Sequence, residues 1–223
     1  MKYEVVTLPE RNITGLSVRT SNDAPDCEQK IGALWQMFHQ HVQQAGDKCY
    51  GVYTDYKWDT PSYLAFVGHE GATGGADVTT VTIPAGNYAK FTYFGAVGKI
   101  GEVWQEIWHM NLPRAYTADF EEYVQVDEQT QCGQVNVYVA LADICQSCGM
   151  PMTKPVDYGT EADGSPSKEY CCYCRKNGAF VQDCTMEQMI EGCLRYAPEQ
   201  YGDAETARAQ MKAYFPTLKR WKQ

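Results

Sequence analysis

The segment Lys30-Ile31-Gly32-Ala33-Leu34-Trp35-Gln36-Met37-Phe38 returns 69 positions later as Lys99-Ile100-Gly101-Glu102-Val103-Trp104-Gln105-Glu106-Ile107. Six of the nine positions match or are conservative: Lys, Ile, Gly, Leu/Val, Trp and Gln. Each copy follows a strand-like run and precedes a pair of strand-like runs. The repeating unit is therefore strand–helix–strand–strand, which cannot cover its own sheet face. Two copies packed around a shared centre solve that problem. The expected class is α+β: duplicated units forming one curved antiparallel sheet with two helices.

The surrounding sequence supplies the elements. Residues 1–21 read as extended, with apolar alternation at Val5, Ile13, Leu16 and Val18, and Ser21–Pro25 as a turn. A helix is expected from Asp26, with Gln29 completing a capping box. Ile31, Leu34, Trp35, Phe38 and Val42 form its apolar stripe, and Gly46 is its expected stop. Strands are expected at Tyr50–Asp55, Tyr63–Val67, Val78–Ile83 and Tyr88–Phe94, with a turn at Pro84–Asn87. A second helix follows from about Val97 to Met110. Phe120–Val126 and Val135–Leu141 close the pattern as a hairpin.

After Asp143 the chain changes character. Cys145-Gln146-Ser147-Cys148-Gly149 and Cys171-Cys172-Tyr173-Cys174 are two C-x-x-C knuckles separated by 22 residues. Two residues between thiolates let both sulfurs point at one tetrahedral ion, and Gly149 permits the turn. Cys145, Cys148, Cys171 and Cys174 are thus the candidate ligands of one zinc ion. Four thiolates close its coordination shell, which makes the metal structural. Cys172 is left out, because with Cys174 it makes too tight a pair. The alternatives are a redox dithiol pair or unlinked thiols. Cys27, Cys49, Cys132, Cys184 and Cys193 carry no assigned role. No secondary structure of length is expected between Met152 and Lys168. Thr185, with Gln188, should cap a helix with Met186, Met189, Ile190 and Cys193 on its apolar face, and a last helix should run from Ala204 to Tyr214.

Around these cysteines, Cys-Gln-Ser-Cys-Gly-Met-Pro-Met (145–152), Gly-Thr-Glu-Ala-Asp-Gly-Ser (159–165), Tyr-Cys-Cys-Tyr-Cys (170–174), Asn-Gly-Ala-Phe (177–180) and Thr-Met-Glu-Gln-Met-Ile-Glu (185–191) resemble a zinc-ribbon domain often found at bacterial C-termini. In the first part, Ile83-Pro84-Ala85-Gly86-Asn87-Tyr88-Ala89-Lys90-Phe91 is similar to the turn-and-strand signature of GyrI-like domains. Phe120-Glu121-Glu122-Tyr123, Tyr50-Gly51-Val52-Tyr53 and Leu8-Pro9-Glu10-Arg11 fit other strands of that family. The same fold serves as the effector-binding domain of AraC-type and MerR-type regulators. The resemblance implies a ligand cleft between the two halves. It divides the chain into 1–142, a GyrI-like small-molecule-binding domain, and 143–223, a four-cysteine ribbon with C-terminal helices.

Glu121 and Tyr123 are two apart on a strand and share a face, with Glu122 on the other. A carboxylate inside an aromatic cleft is costly unless a cationic or hydrogen-bonding group meets it. A lipophilic cation supplies charge and apolar surface together, and aromatic rings add cation–π attraction. Candidate ligand contacts are Glu121, Tyr123, Trp35, Phe38, Tyr53, Tyr88, Phe91, Trp104 and Trp108. The plainer reading of the aromatics is core packing, and of Glu121 an exposed strand carboxylate. The histidines form no constellation: His39 and His41 do not share a helix face, His69 falls in a loop and His109 near a helix end.

Three functions fit. The first is binding of lipophilic, cationic small molecules, for sensing, sequestration or resistance. The second is hydrolysis of reactive small molecules, with Glu121 and Tyr123 as the catalytic pair. The third is a protein-interaction module such as a gyrase inhibitor, with the ribbon adding contact area. Residues 1–142 carry 9 basic and 17 acidic side chains and residues 143–223 carry 10 and 11, so neither part is a basic surface that would draw in nucleic acid. Met1 is followed directly by the first strand, so the chain is not expected to read DNA by itself. No long apolar run or signal-peptide pattern is present, and a cytoplasmic protein without a membrane partner is expected.

Overall fold

A computed structural model describes residues 1–42, 48–57, 59–71, 78–127, 129–196 and 203–222. The chain divides into two compact units, Met1–Leu141 and Ala142–Gln223. Gly46, the expected helix stop, lies outside the described residues.

The first unit contains β1 (Glu4–Leu8), β2 (Arg11–Thr20), α1 (Cys27–His41), β3 (Cys49–Lys57), β4 (Ser62–Glu70), β5 (Thr79–Ile83), β6 (Gly86–Ala96), α2 (Ile100–Trp108, entered through a 3-10 turn at Val97–Lys99), β7 (Ala118–Val126) and β8 (Cys132–Ala140). All eight strands form one sheet in the order β1-β6-β8-β7-β3-β4-β2-β5, with every pairing antiparallel. The duplication is visible in that order. β2-α1-β3-β4 and β6-α2-β7-β8 are the two copies, and they meet where β3 pairs with β7.

Three sequence expectations need correction here. Residues 1–21 are two strands, broken at Pro9, and they serve opposite ends of the sheet. β1 adds to β6 of the second copy, while β5, just before the second copy, adds to β2 of the first. Each copy thus receives its edge strand from the segment preceding the other. Local alternation cannot show such an exchange, because it reports a face and not a partner. The Pro84–Asn87 turn is also shorter than expected, since Gly86 already pairs with Leu8. Finally, α1 starts after Asp26 as expected but without a capping box. The Asp26 side chain makes no cap hydrogen bond and instead meets Lys30 Nζ at 3.0 Å.

The sheet curls into a half-barrel. Val6 and Leu8 at one end and Val81 and Ile83 at the other pack on the same buried cluster, with Tyr50, Val52, Phe66, Tyr88, Phe120 and Tyr138. Phe120 and Tyr138 stack at 4.4 Å in its middle. On the opposite face, α2 buries Val103, Trp104 and Ile107 against Phe91, Val135 and Val137. Similarly, α1 buries Leu34 and Phe38 against Cys49 and Val67. The two helices therefore cover the flanks of one sheet face and leave its centre, β3 and β7, between them.

The second unit is built from short pieces: β9 (Asp143–Ile144), β10 (Pro151–Met152), β11 (Tyr158–Thr160), β12 (Pro166–Cys171), β13 (Arg175–Lys176), β14 (Ala179–Phe180), α3 (Met186–Tyr196) and α4 (Ala204–Tyr214). β11 and the start of β12 fall where no structure of length was expected. Both are brief, and neither has the apolar run that signals a strand. Asn177 and Gly178, both at positive φ, join β13 to β14 as a two-residue hairpin turn requires. The expected capping box of α3 is present: Thr185 N–H donates to Gln188 Oε1 at 2.9 Å and Gln188 N–H to Thr185 Oγ1 at 3.3 Å. α3 and α4 share an apolar cluster around Ile190, Leu194, Met211 and Phe215.

The chain end closes over the first knuckle. Trp221 Nε1–H donates to the Ser147 carbonyl at 2.7 Å, Arg220 Nη1 to Ser147 Oγ at 3.0 Å, and Arg220 N–H to the Gln146 carbonyl at 3.1 Å. Leu218 is buried beneath them. A chain truncated after Thr217 loses these bonds together with the Leu218 and Trp221 packing. The expected destabilisation of the second unit is about 3 kcal/mol, read as a fall in the denaturant midpoint of its transition.

Candidate functional site

The sheet centre left open between α1 and α2 is a cleft of about 1650 Å³. The repeated helix segments line it from both sides: Ile31, Gly32 and Trp35 from α1 face Ile100, Gly101 and Trp104 from α2. The repeat is therefore also the cleft's frame. A Cβ on Gly32 or Gly101 would meet nothing within 4 Å, so these glycines keep the space free of side chains.

Glu121 forms the floor. It is 1% exposed, on β7 directly opposite Gly51 of β3. A Cβ on Gly51 would stand 2.9 Å from Glu121 Oε2, so only glycine leaves the carboxylate its place. Glu121 accepts three hydrogen bonds: Trp104 Nε1–H at 2.5 Å and the Tyr53 hydroxyl at 2.9 Å on Oε1, and the Tyr123 hydroxyl at 2.7 Å on Oε2. Burial raises its pKa above the ordinary carboxylate value, and these bonds only partly offset that.

The two neighbouring acids on β7 are handled differently. Glu122 points into the half-barrel, where Arg11 and Lys48 lie 3.7 and 3.6 Å away. Burial pushes its pKa up, but hydrogen bonds from Asn136 and Tyr138 and the charges of Lys48 and Arg11 outweigh burial, leaving it lowered. Asp119, on the cleft face with no exposed surface, is bound by the Arg114 guanidinium and by the Tyr56 hydroxyl at 2.7 Å. Among the described residues, both acids have a protein cation and Glu121 has only neutral donors.

The aromatic candidates separate. Trp35, Tyr53, Trp104, Trp108 and Tyr123 line the cleft. Phe38, Tyr88 and Phe91 do not. They are at most 1% exposed and fill the clusters beneath α1, inside the half-barrel and beneath α2. For these three, core packing is the correct reading. The reason is position on the element. Phe38 is three residues beyond Trp35 and turns down onto the sheet, and Tyr88 faces the half-barrel interior. Phe91 lies under α2. Tyr56, Tyr63, Arg114 and Tyr116 also line the cleft and were not among the candidates. Tyr56 follows Asp55, which sits at φ +49° where the β3 register shifts, so parity along β3 does not reach it, and Arg114 and Tyr116 come from a connection that no periodicity describes. His69, expected in a loop, is in β4 and 3% exposed, whereas His39 stacks on Trp35 at 5.5 Å.

In the second unit, Cys145, Cys148, Cys171 and Cys174 bring their sulfurs within 4.8 Å of one another. Cys148 and Cys171 Sγ are 3.7 Å apart. Tetrahedral bonds of about 2.3 Å to zinc place sulfurs about 3.8 Å apart, so the set has the right size. Cys171 N–H donates to Cys145 Sγ at 3.3 Å, the kind of contact that stabilises a thiolate. Gly149, at φ +76°, makes the turn after the first knuckle. Cys172 is not part of the cluster.

A family model described as "Integron-associated effector binding protein" matches residues 4–141, more than half of the chain. The chain belongs to this family. A second model, described as "Putative zinc ribbon domain", matches residues 144–222. Among relatives of this effector-binding protein, the "Putative transcriptional regulator protein YobU" of Bacillus subtilis is 33% identical over 156 residues, 61% of this chain and 96% of that protein. The integron cassette protein of Vibrio cholerae has a similar fold, with a TM-score of 0.53, 24% identity and coverage of 62% of this chain and 95% of that one. So does SAV2435, solved bound to tetraphenylphosphonium, with a TM-score of 0.50, 18% identity and coverage of 62% and 93%. The architecture is GyrI-like, and the first unit is an effector-binding domain. No helix among the described residues is long and apolar enough to cross a membrane.

Proposed function

We propose that the first unit binds lipophilic organic cations in the cleft, with Glu121 as their counter-ion and Trp35, Tyr53, Trp104, Trp108 and Tyr123 as aromatic walls. One observation carries this reading: of the three acids on β7, Glu121 alone is buried without a protein cation among the described residues. An unpaired buried carboxylate costs stability, and an incoming cation recovers that cost. The tetraphenylphosphonium bound by SAV2435 is a cation of this class and supplies a probe. Binding would serve sensing, sequestration or resistance. The four cysteines would hold one zinc ion, whose role is to fix the second unit's fold.

Titration of the protein with tetraphenylphosphonium, followed by the fluorescence of the cleft tryptophans, tests the reading. Micromolar binding is expected, with the neutral triphenylphosphine oxide weaker by at least about tenfold. Equal binding of the two removes the counter-ion role. The pH dependence has a fixed sign. The raised Glu121 pKa means the site is charged above that pKa and neutral below it. Cation affinity is therefore full above it and falls with pH by up to about tenfold per unit below it. A parallel titration of Glu121→Gln subtracts any pH dependence that does not come from Glu121.

A further inference from the structure

Cation binding at Glu121 makes no use of the guanidinium of Arg114. Arg114 lines the same cleft, its side chain 16% exposed. Asp119 takes its Nη2, while Arg114 Nε is buried with no hydrogen-bond partner among the described residues. A guanidinium offers five N–H donors in a fixed fork, so the Asp119 contact leaves donor capacity over. The group is also held rigidly. Tyr56 and the Ala140 N–H fix Asp119, at 2.7 and 2.8 Å, and the guanidinium lies 4.4 Å over the Tyr116 ring. Tyr116 itself sits at φ +53°, in the left-handed region that aromatic residues seldom occupy. Backbone strain of this kind concentrates at ligand clamps and active sites. The rings between the two polar groups are continuous: Tyr53–Tyr63 at 5.7 Å, Tyr63–Tyr56 at 5.9 Å and Tyr56–Tyr116 at 5.6 Å. Tyr53 is a donor to Glu121, so one aromatic wall runs from the carboxylate to the guanidinium.

The geometry points to a second subsite in which Arg114, walled by Tyr56 and Tyr116, donates to an uncharged oxygen acceptor, a carbonyl or an ether, on the bound cation. This rests on Glu121 as the counter-ion. Asp119, which anchors Arg114, and Glu121 are two apart on β7, about 7 Å along the strand, so the two subsites are on the scale of one substituted ring. The acceptor is uncharged for an electrostatic reason. Asp119 already neutralises Arg114, and Glu121 stands beside the pair. In addition, residues 1–142 carry a net charge of −8 (9 basic against 17 acidic). An anionic substituent would enter a negative field. The effector is thus an amphiphilic cation with a neutral acceptor at its far end.

Three monocations of matched size test this: tetraphenylphosphonium and its analogues bearing one para-acetyl or one para-isopropyl group. The expected result is that the wild-type protein binds the acetyl ion about tenfold more tightly than the isopropyl ion. In Arg114→Lys, which keeps a charge on Asp119 but lacks the planar fork, the preference should shrink to about twofold or less. Equal binding of the two analogues to the wild type, with tetraphenylphosphonium still bound, overturns the subsite and leaves the counter-ion reading standing. Failure of all three ions to bind overturns both. Preference retained in full by Arg114→Lys overturns the assignment to Arg114. The wild-type comparison needs no variant to fold.

Discussion

If the four cysteines hold zinc as proposed, a strong chelator is expected to unfold the second unit and leave the first folded. The expected signal is loss of protease resistance across residues 142–223, with the cleft tryptophans of the first unit unchanged. The second unit has its own apolar cluster between α3 and α4. Around the knuckles, however, the buried apolar residues are Cys145, Cys171 and Cys174, with Met152 beside them. The strands there are two to six residues long, too short to hold without a cross-link. A structural zinc site contributes about 10–16 kcal/mol of apparent folding free energy at neutral pH, far more than so few contacts supply. Cys171→Ser should reproduce the effect, because Cys171 both holds a ligand position and ends β12. Metal analysis should return one zinc per chain for the wild type. A second unit that stays protease-resistant after complete chelation would refute the structural role.

Replacing Glu121 by Gln is expected to stabilise the first unit while disabling its site. Glutamine keeps the hydrogen bonds: its oxygen accepts from Trp104 and Tyr53, and its amide donates to the Tyr123 hydroxyl, which can turn to accept. What it removes is a charge that is 1% exposed and has no protein counter-ion among the described residues. The linkage has a definite direction. An acid whose folded pKa is raised binds more protons in the folded state than in the unfolded one, so its stability cost grows as pH rises through the folded pKa and is complete above it. Above that pH the variant should gain about 1 kcal/mol, or about 3 °C in melting temperature. Below it the difference shrinks, and variant and wild type should coincide once the pH falls under the ordinary carboxylate pKa. Glu122→Gln should do the opposite, because Glu122 has two cations and a lowered pKa. Its contribution is present above the ordinary carboxylate pKa and disappears as pH falls through the folded value.

Much of this arrangement was legible in the sequence, and the limits are physical. The repeat of Ile-Gly-x-x-Trp at 31–35 and 100–104 located both helices, because helical spacing fixes which residues share a face, while the cleft between them was legible only through the resemblance to GyrI-like domains. Parity on β7 separated Glu121 and Tyr123 from Glu122. The two-residue spacing of the knuckles picked out the four sulfurs that converge. The exchange of β1 and β5 between the copies was not legible, since strand alternation names no partner. Nor was the failure of Phe38, Tyr88 and Phe91 to reach the cleft, since an aromatic residue on a helix or strand looks the same whether it faces a void or a core. Arg114 and Tyr116 were missed because their placement depends on a connection with positive φ at Tyr116, a feature without a sequence period.

The central claim is that Glu121 is the counter-ion of a bound lipophilic cation. Calorimetric titration of tetraphenylphosphonium into wild type and Glu121→Gln, at a pH above the Glu121 pKa and with both proteins shown to be folded, addresses it directly. Loss of a desolvated charge pair costs about 2 kcal/mol or more, so the variant should bind at least about 30-fold more weakly despite its higher melting temperature. Equal affinity in the two proteins would contradict the account.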